Sequence, residues 1–286
     1  PARIASRADL CPNGDAMNDL NNDEEINMLL AAEISEKALP GDLRQGLRRR
    51  LSERLEDSRR RHAGLITVRG RDGAWSDLKT GVQSKILREG AGGTSVLIRL
   101  DKGATLPVHR HRHLEEGIVL TGSMQMGELD LGTADYHVSA PGSRHDRITS
   151  RDGCLTYLRG TSLGNTMGLV VELLGGLVPG AGEAPVTITR NDGQWQAIAE
   201  GVEEKRLWRD GKQASRFIRF APGSSLPGHA HAHDEETLVV DGEIFFGDLL
   251  VRSHEFHFAP AGTHHETLFS DTGALIFVHE GLPAVT

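Results

Sequence analysis

The chain has 286 residues, with 32 Lys and Arg against 40 Asp and Glu and a formal net charge of -8. This balance argues against direct binding of nucleic acid or of an acidic membrane surface, because both need an excess of basic side chains. Only Cys11 and Cys154 occur, so no disulfide framework is expected and a reducing, cytoplasmic setting is favoured. The most apolar stretch, residues 167–178, is short and contains Glu172, so no membrane span is predicted.

The first part of the chain is expected to be irregular and then helical. Residues 1–17 lack periodicity and are predicted to be disordered, whereas residues 18–64 are predicted to form a helical arm. A short apolar stripe lies within residues 26–34, and Asp42 is the expected N-cap of a second, longer helix. The apolar side of that helix consists of leucines at every fourth position: Leu43, Leu47, Leu51 and Leu55.

Many arginines lie in the same helix, and they admit two interpretations. They could form a binding face for an acidic partner. Because Glu53, Glu56 and Asp57 are interleaved with them, a solvated face laced with ion pairs is the favoured interpretation. The first interpretation stays open.

Beyond residue 65 the chain repeats itself at a constant offset of 120 residues. The Asp72-Gly73-x-Trp75 segment matches Asp192-Gly193-x-Trp195, and the correspondence runs without insertion to Gly153 and Gly273. Two copies of this length are too few and too long for a solenoid, so each is predicted to be a closed domain with its own core.

Both copies contain short alternating strands separated by Gly, Asp and Pro turns, which is typical of an all-β fold. The predicted boundaries are residues 65–162 for the first barrel, 163–185 for a linker and 186–286 for the second barrel.

Each copy also carries residues of the types that bind divalent metals. Two histidines and a glutamate are followed, after a Pro/Gly turn, by one more histidine, and three imidazoles with a carboxylate make a metal site. The predicted ligands are His109, His111, Glu115 and His145 in the first copy, and His229, His231, Glu235 and His265 in the second.

The choice of acid depends on strand parity. Residues two apart on a strand face the same side, so Glu115 shares the face of His109 and His111 if the strand continues. Glu116 and Glu236, the second acid of each pair, have the opposite parity. The late histidine must arrive on a different strand, and the Pro/Gly turn before it is suited to aiming that strand.

Other histidines recur at the same offset. His113 and His233 are interpreted as loop residues, with the roles of alternate ligand or hydrogen-bond partner of a ligand left open. His137 and His257 are expected to line or border the pocket. No residue is identified as catalytic by spacing alone.

The metal itself is not decided by these ligands, because imidazole suits zinc and iron(II) and is compatible with nickel or manganese. We expect up to two ions per chain. Four engaged protein ligands would favour zinc in a structural or sensory site, whereas an open position would suit iron(II) and oxygen chemistry.

The spacing Gly103-x5-His109-x-His111-x3-Glu115-x6-Gly122, followed by Pro141-Gly142-x2-His145, resembles the two cupin motifs, and the second copy repeats it. The sequence of residues 140–155 is similar to that of the cupin domain of ChrR-type anti-sigma factors and to that of the diketone-cleaving dioxygenases of that subfamily. The resemblance implies an all-β protein with two tandem jelly-roll barrels, each with one metal, and an N-terminal helical arm.

The resemblance also implies a function and partners. We favour a ChrR-like, anti-sigma-type transcriptional regulator that responds to stress or to a small molecule, with a ligand in the barrel and a sigma factor on the N-terminal helices. The alternative is a non-haem iron(II) dioxygenase that cleaves a small diketone or related carbonyl compound. Only Cys11 and His62 are present in the N-terminal zone, so the zinc site of the ChrR-type helical domain is not expected. Edge strands of the barrels are compatible with a homodimer, and the oligomeric state is left open.

Overall fold

The computed structural model describes residues 40–90, 92–163 and 183–283, apart from the side chain of His145. The predicted disordered segment, the apolar stripe within residues 26–34 and most of the predicted linker lie outside the described residues. The described chain divides into two compact units between Arg59 and Arg60. Strands dominate the second unit.

Helix α1, Gly41–Arg61, begins one residue before the predicted cap. The backbone N–H of Arg44 donates to the carbonyl oxygen of Pro40 at 2.9 Å, so Pro40 takes the capping position. Asp42 instead lies in the first turn, where its charge complements the helix dipole. In the part of the chain that the structure describes, no helix combines the length and apolarity needed to cross a bilayer.

The first repeat contains twelve described strands. They are β1 Ile66–Val68, β2 Ser76–Lys79, β3 Val82–Gly90, β4 Gly93–Leu100, β5 Thr105–Leu106, β6 His109–Arg110, β7 Glu115–Met126, β8 Leu129–Gly132, β9 Tyr136–Ser139, β10 Arg144–His145, β11 Ile148–Thr149 and β12 Cys154–Thr161.

The second repeat contains the same series in the same order. Its strands are β13 Val186–Ile188, β14 Gln196–Ala199, β15 Val202–Arg209, β16 Gln213–Phe220, β17 Ser224–Leu226, β18 His229–Ala230, β19 Glu235–Phe246, β20 Leu249–Arg252, β21 Phe256–Ala259, β22 His264–His265, β23 Leu268–Ser270 and β24 Ala274–Gly281.

The strands of each repeat form an antiparallel barrel. One large sheet runs β9-β7-β12-β4-β3-β2 and its counterpart runs β21-β19-β24-β16-β15-β14, position for position. The long strands β7 and β19 also pair with β8 and β20, and β11 and β23 complete the second wall. The prediction of two tandem jelly-roll barrels with an N-terminal helix is therefore confirmed.

The first strand of each repeat lies in the sheet of the other repeat. Strand β1 pairs with β21, with Thr67 opposite His257, and β13 pairs with β9, with Thr187 opposite His137. The sequence expectation was of two separately closed domains, but a constant offset does not say which copy a strand pairs with. The barrels are joined by a reciprocal exchange of strands.

Hydrogen bonds to the other repeat hold the chain just after each exchanged strand. The backbone N–H of Gly70 donates to Glu255 at 3.0 Å, and that of Arg190 donates to Asp135 at 2.7 Å. The Nζ of buried Lys205 donates to the carbonyl oxygen of Arg190 at 3.0 Å. Asp135 and Glu255 occupy matching positions in the two repeats, so the same fastening occurs twice.

Apolar residues form one core inside each barrel and a third cluster that both repeats share. Leu97, Ile118 and Tyr157 of the first repeat belong to the same cluster as Phe217 and Phe277 of the second. A fully buried aromatic side chain removes a large apolar surface from water. The contact between the barrels is therefore a hydrophobic core in its own right.

Two buried carboxylates lie within this shared region. Glu116 accepts hydrogen bonds from Tyr136 at 2.7 Å and from Ser215 of the other repeat, and its Oε2 lies 2.8 Å from His279 Nδ1. The second acid, Glu236, accepts a bond from Ser95 of the first repeat at 2.5 Å. Glu116 and Glu236, the second acid of each pair, thus face the other barrel.

Arg159 lies between the two acids. Its Nη1 is 3.4 Å from Glu116 and its Nε is 3.5 Å from Glu236. Burial alone would raise the pKa of Glu116, but His279, Arg159 and Ser215 together lower it to about 2. Glu116 is therefore ionised in the folded protein.

This pKa predicts an acid-sensitive contact between the barrels. In the unfolded chain a glutamate titrates near its ordinary value, so the contribution of Glu116 to stability is present above about pH 4.5 and is lost as the pH falls towards 2. By pH 3 the loss amounts to about 2 kcal/mol of unfolding free energy. We expect urea denaturation of the metal-free protein to show a smaller decrease between pH 6 and pH 3 for Glu116→Gln than for wild type.

Glu128→Gln, at an exposed position, is the control and should follow the wild-type profile. Equal pH slopes for wild type and Glu116→Gln would show that the buried carboxylate does not carry the acid sensitivity.

Candidate metal centres

Short two-stranded ladders bring the early and late histidines of each repeat together. In the second repeat β18 pairs with β22, which sets His229 opposite His265. In the first repeat β6 pairs with β10, which sets the backbone of His145 opposite His109. The late histidine therefore arrives on a separate strand.

The Pro/Gly turn is bonded directly to the middle histidine. His111 donates its backbone N–H to Ser143 at 3.0 Å and accepts one from Gly142 at 2.8 Å, and His231 makes the matching bonds with Thr263 and Gly262. Strand β6 ends at Arg110 and β7 begins at Glu115, so the histidines and the acid do not share a continuous strand. The condition for shared parity, a continuous strand from His109 to Glu115, is therefore not met, although the same three side chains converge.

The second repeat brings all four predicted ligands together. One donor atom from each of His229, His231, Glu235 and His265 lies within 4.8 Å of the others. The Oε1 atom of Glu235 is 3.8 Å from His265 Nδ1, and Oε2 is 3.8 Å from His229 Nε2. Except for His229, these side chains are buried.

The pKa values of the histidines in this cluster shift in different directions. Interaction with the Glu235 carboxylate raises the pKa of His229, whereas burial lowers the pKa of His231. Burial, together with the neighbouring histidines, lowers the pKa of His265 to about 2. Burial alone would raise the pKa of Glu235, but the adjacent His229 and His231 lower it. Neutral imidazoles beside a carboxylate are the protonation states that bind a cation.

The first repeat brings three predicted ligands together: His109, His111 and Glu115. The Nδ1 of His111 is 3.5 Å from Glu115 Oε1. The Nδ1 of His109 lies 3.1 Å from the carbonyl oxygen of Pro107, and because a carbonyl only accepts, this nitrogen carries the proton. In a neutral imidazole the other ring nitrogen, Nε2, then carries the lone pair that a metal ligand requires. The side chain of His145 lies outside the described residues.

Behind each cluster, a second histidine is bound to a threonine of the exchanged strand. The Nδ1 of His257 lies 2.8 Å from Thr67 Oγ1, and the Nδ1 of His137 lies 2.8 Å from Thr187 Oγ1. Burial lowers the pKa of His257 to about 3 and that of His137 to about 4. The sequence placed these two histidines at the pocket, but their partners from the other repeat could not be recognised from spacing.

The donors in the second repeat fit a divalent metal. Buried His231 Nε2 and His265 Nδ1 have no hydrogen-bond partner among the described residues, and a buried polar atom without a partner is costly. A cation held by His229, His231, Glu235 and His265 would satisfy both atoms. Imidazole and carboxylate are suitable donors for zinc and for iron.

The interiors of the two barrels differ. A cavity of about 170 Å³ in the first barrel is lined by His109 and Glu115 together with Leu106 and Leu158. A further void of about 40 Å³ reaches the same two polar side chains and extends to Met126. The first cluster therefore adjoins a small, mainly apolar space.

In the second barrel aromatic packing fills the corresponding region. Phe246, which matches Met126, stacks on His257 with ring centroids 4.5 Å apart and lies 4.7 Å from His265. Phe220 and Ile276, which are also buried, match Leu100 and Thr156. Larger side chains therefore occupy the space beside His265, whereas His229 stays exposed.

The remaining histidines lie elsewhere. His113 lines a cleft with Trp208 and Arg159, and neither His113 nor His233 belongs to a candidate metal group of the described residues. His279, which has no histidine at the matching position of the first repeat, contacts Glu116 instead. The signal that could have identified it is its match to Arg159, since both positions carry a basic side chain.

A third group of residues that could bind a metal forms ion pairs with an arginine. His62 Nε2 lies 2.5 Å from Asp248, and the guanidinium of Arg61 is 2.7 Å from Asp248 and 3.3 Å from Glu266. These acids already pair with a fixed positive charge. We interpret the group as an ion-pair cluster that anchors residues 61–62 on the second barrel.

Two metal-ligand clusters in tandem jelly-roll barrels define a bicupin. The family model described as the ChrR Cupin-like domain matches residues 63–163 and again residues 183–283. The chain therefore belongs to the ChrR Cupin-like domain family. A comparison with curated proteins found no match.

Solved structures of bicupins share the fold at low identity. A putative dioxygenase from Nostoc punctiforme is 15% identical, with a TM-score of 0.54 over 75% of this chain and 79% of that chain. Oxalate decarboxylase from Lactobacillus farciminis is 14% identical, with a TM-score of 0.56 over 77% and 87%. A variant of Bacillus subtilis oxalate decarboxylase is 17% identical, with a TM-score of 0.54 over 75% and 76%. At these identities the similarity shows the fold.

The clusters predict a defined metal content. We expect elemental analysis of protein purified without chelators to give up to two ions per chain, and His111→Ala and His231→Ala each to lose about one, because each removes a buried imidazole donor. His113→Ala and His233→Ala are matched controls from the same segments, and they should keep the wild-type content. Full metal content in His231→Ala would contradict the assignment of the second centre.

Proposed function

We propose that this protein is a metal-binding bicupin regulator of the ChrR-like, anti-sigma type. Its first barrel binds a small, mainly apolar molecule beside the metal cluster, its second barrel holds a structural metal, and helix α1 binds a sigma factor. The observation that carries the proposal is the cavity of about 170 Å³ at His109 and Glu115.

The cavity supports a ligand with an apolar body and one polar group. Its walls include Ile98, Leu106 and Leu158, and its polar side chains include His109 and Glu115. Small-molecule sites typically combine apolar walls with a few polar groups that fix orientation. A ligand of this kind would touch the donors of the first cluster, so its binding would be sensed at the metal.

The filled second barrel supports a structural role for its centre. Four protein donors, three of them buried and one packed against Phe246, suit a tetrahedral zinc site. We propose zinc at the second centre, and zinc or iron(II) at the first, according to whether the first centre senses or reacts.

Helix α1 supports a protein partner. Its described residues include no buried side chain, and its leucines are 42% to 59% exposed. A continuous apolar stripe on an exposed helix is a recurrent way of binding a groove on another protein. The neighbouring arginines would complement an acidic partner surface.

Co-purification tests the regulator. We expect the full chain, isolated from native extract, to retain a sigma factor identified by mass spectrometry, and Leu47→Asp combined with Leu51→Asp to abolish retention because both charges lie in the apolar stripe. Ile198→Asp changes an exposed apolar residue of the second repeat and is the control. Repeated isolation without a sigma factor, or equal retention by all variants, would contradict the regulator.

The second candidate function is an iron(II) dioxygenase acting on a small diketone or related carbonyl compound. The specific observation in its favour is that the same cavity reaches both His109 and Glu115, which leaves space for a substrate beside the metal. Iron would supply the oxygen chemistry. Of the chain's own groups, the apolar walls would exclude water, and His109 and Glu115 would lie next to the substrate.

Oxygen uptake tests this alternative. We expect iron-loaded protein to consume oxygen with pentane-2,4-dione, and Met126→Phe combined with Thr156→Ile to reduce the rate at least about tenfold, because these residues reproduce the filled interior of the second barrel. Phe246→Met combined with Ile276→Thr makes the reciprocal change and should retain the rate. The absence of uptake by iron-loaded wild type would exclude diketone cleavage.

A further inference from the structure

The strand exchange places a residue of the first repeat behind the metal cluster of the second. We propose that Thr67 is a positioning residue for the second metal centre, because through His257 it determines which ring nitrogen of His265 carries the proton. This inference rests on the second metal centre of the proposed function, and it is independent of any ligand or sigma factor.

The three side chains form a continuous chain of hydrogen bonds. Thr67 Oγ1 lies 2.8 Å from His257 Nδ1, and His257 Nε2 lies 3.0 Å from His265 Nε2. His257 is 0% exposed and His265 is 2% exposed. Bulk water does not compete at such depth, so each ring nitrogen takes its state from its neighbour.

Two directions of proton donation satisfy this chain. In the first, Thr67 donates to His257, which donates to His265 Nε2 and leaves the proton of His265 on Nδ1. In the second, His265 donates from Nε2 to His257, which donates from Nδ1 to Thr67. Only the second direction leaves a lone pair on His265 Nδ1.

The position of Nδ1 favours the second direction when a cation is bound. This atom is buried without a hydrogen-bond partner among the described residues and lies 3.8 Å from Glu235 Oε1, within the four-residue cluster. A lone pair there binds a cation, whereas a proton there would repel it. Thr67 supports this state because its Oγ1 accepts the hydrogen bond that His257 then donates from Nδ1.

The first barrel provides a matched residue. Thr187 lies 2.8 Å from His137 Nδ1, but the Nε2 of His137 is 3.3 Å from Ser139 Oγ. Removal of the Thr187 hydroxyl is an equivalent change at the same register position of the other exchanged strand. It leaves the chain from Thr67 to His265 intact.

Zinc affinity tests the inference directly. In a His111→Ala background, which disables the first cluster, zinc binding by the second is measured by competition with a chromophoric chelator. We expect Thr67→Val to weaken binding by about 10-fold to 100-fold, the usual effect of losing a residue that orients a ligand. Thr67→Ser restores the hydroxyl and should bind as the parent does, and Thr187→Val should also match the parent.

Two further measurements distinguish positioning from a general loss of structure. Valine keeps the shape and strand preference of threonine, so we expect the metal-free forms of Thr67→Val and Thr187→Val to unfold at similar urea concentrations. In the zinc-loaded parent, nitrogen-15 NMR should show His265 protonated at Nε2, and Thr67→Val should lose that signal or broaden it.

Each outcome separates this inference from the proposed function. If the parent binds no zinc at the second cluster, the structural metal is refuted and the inference with it. If the parent binds zinc and Thr67→Val binds equally well, or if Thr187→Val weakens binding to the same extent, the positioning role alone is overturned.

Discussion

Burial of Glu116 and Glu236 between the barrels is the constraint on which the two-barrel arrangement depends. An ionised carboxylate without partners at this depth costs on the order of several kcal/mol. Each acid takes a hydroxyl from the opposite repeat, Ser215 for Glu116 and Ser95 for Glu236, and Arg159 lies near both acids. Separation of the barrels would break the hydrogen bonds to Ser215 and Ser95 and the contact of Arg159 with Glu236, so each barrel stabilises the other.

The exchange of first strands makes each candidate metal centre depend on the other repeat as well. A strand that follows helix α1 carries Thr67 to the histidines of the second barrel, and a strand that follows the predicted linker carries Thr187 to His137 of the first. Each cluster takes its ligands from one repeat and a hydrogen-bonding residue behind them from the other. The orientation of a ligand histidine in one barrel therefore depends on the position of a strand that belongs to the other repeat.

Side-chain size then differentiates two backbones of the same design. Met126 and Thr156 leave space at the first cluster, whereas Phe246 and Ile276 occupy it at the second. Packed aromatic rings beside His265 hold its ring in place, which suits a structural ion. An apolar space beside donor groups suits a bound molecule. One duplicated fold thus offers one cluster packed against aromatic rings and one cluster beside an apolar space.

The sequence alone determined the all-β class, the two copies and the clusters of ligand residues, because strand patterning, a constant offset and His/Glu spacing are properties read along the chain. It did not reveal the partner of Glu116, the contacts of Thr67 and His279, or the break between the strands of His109 and Glu115. Only the tertiary structure decided these, because an offset that is equal in both copies does not say which copy a strand pairs with. Contacts across the exchange depend on packing between distant segments, which spacing along one segment does not record.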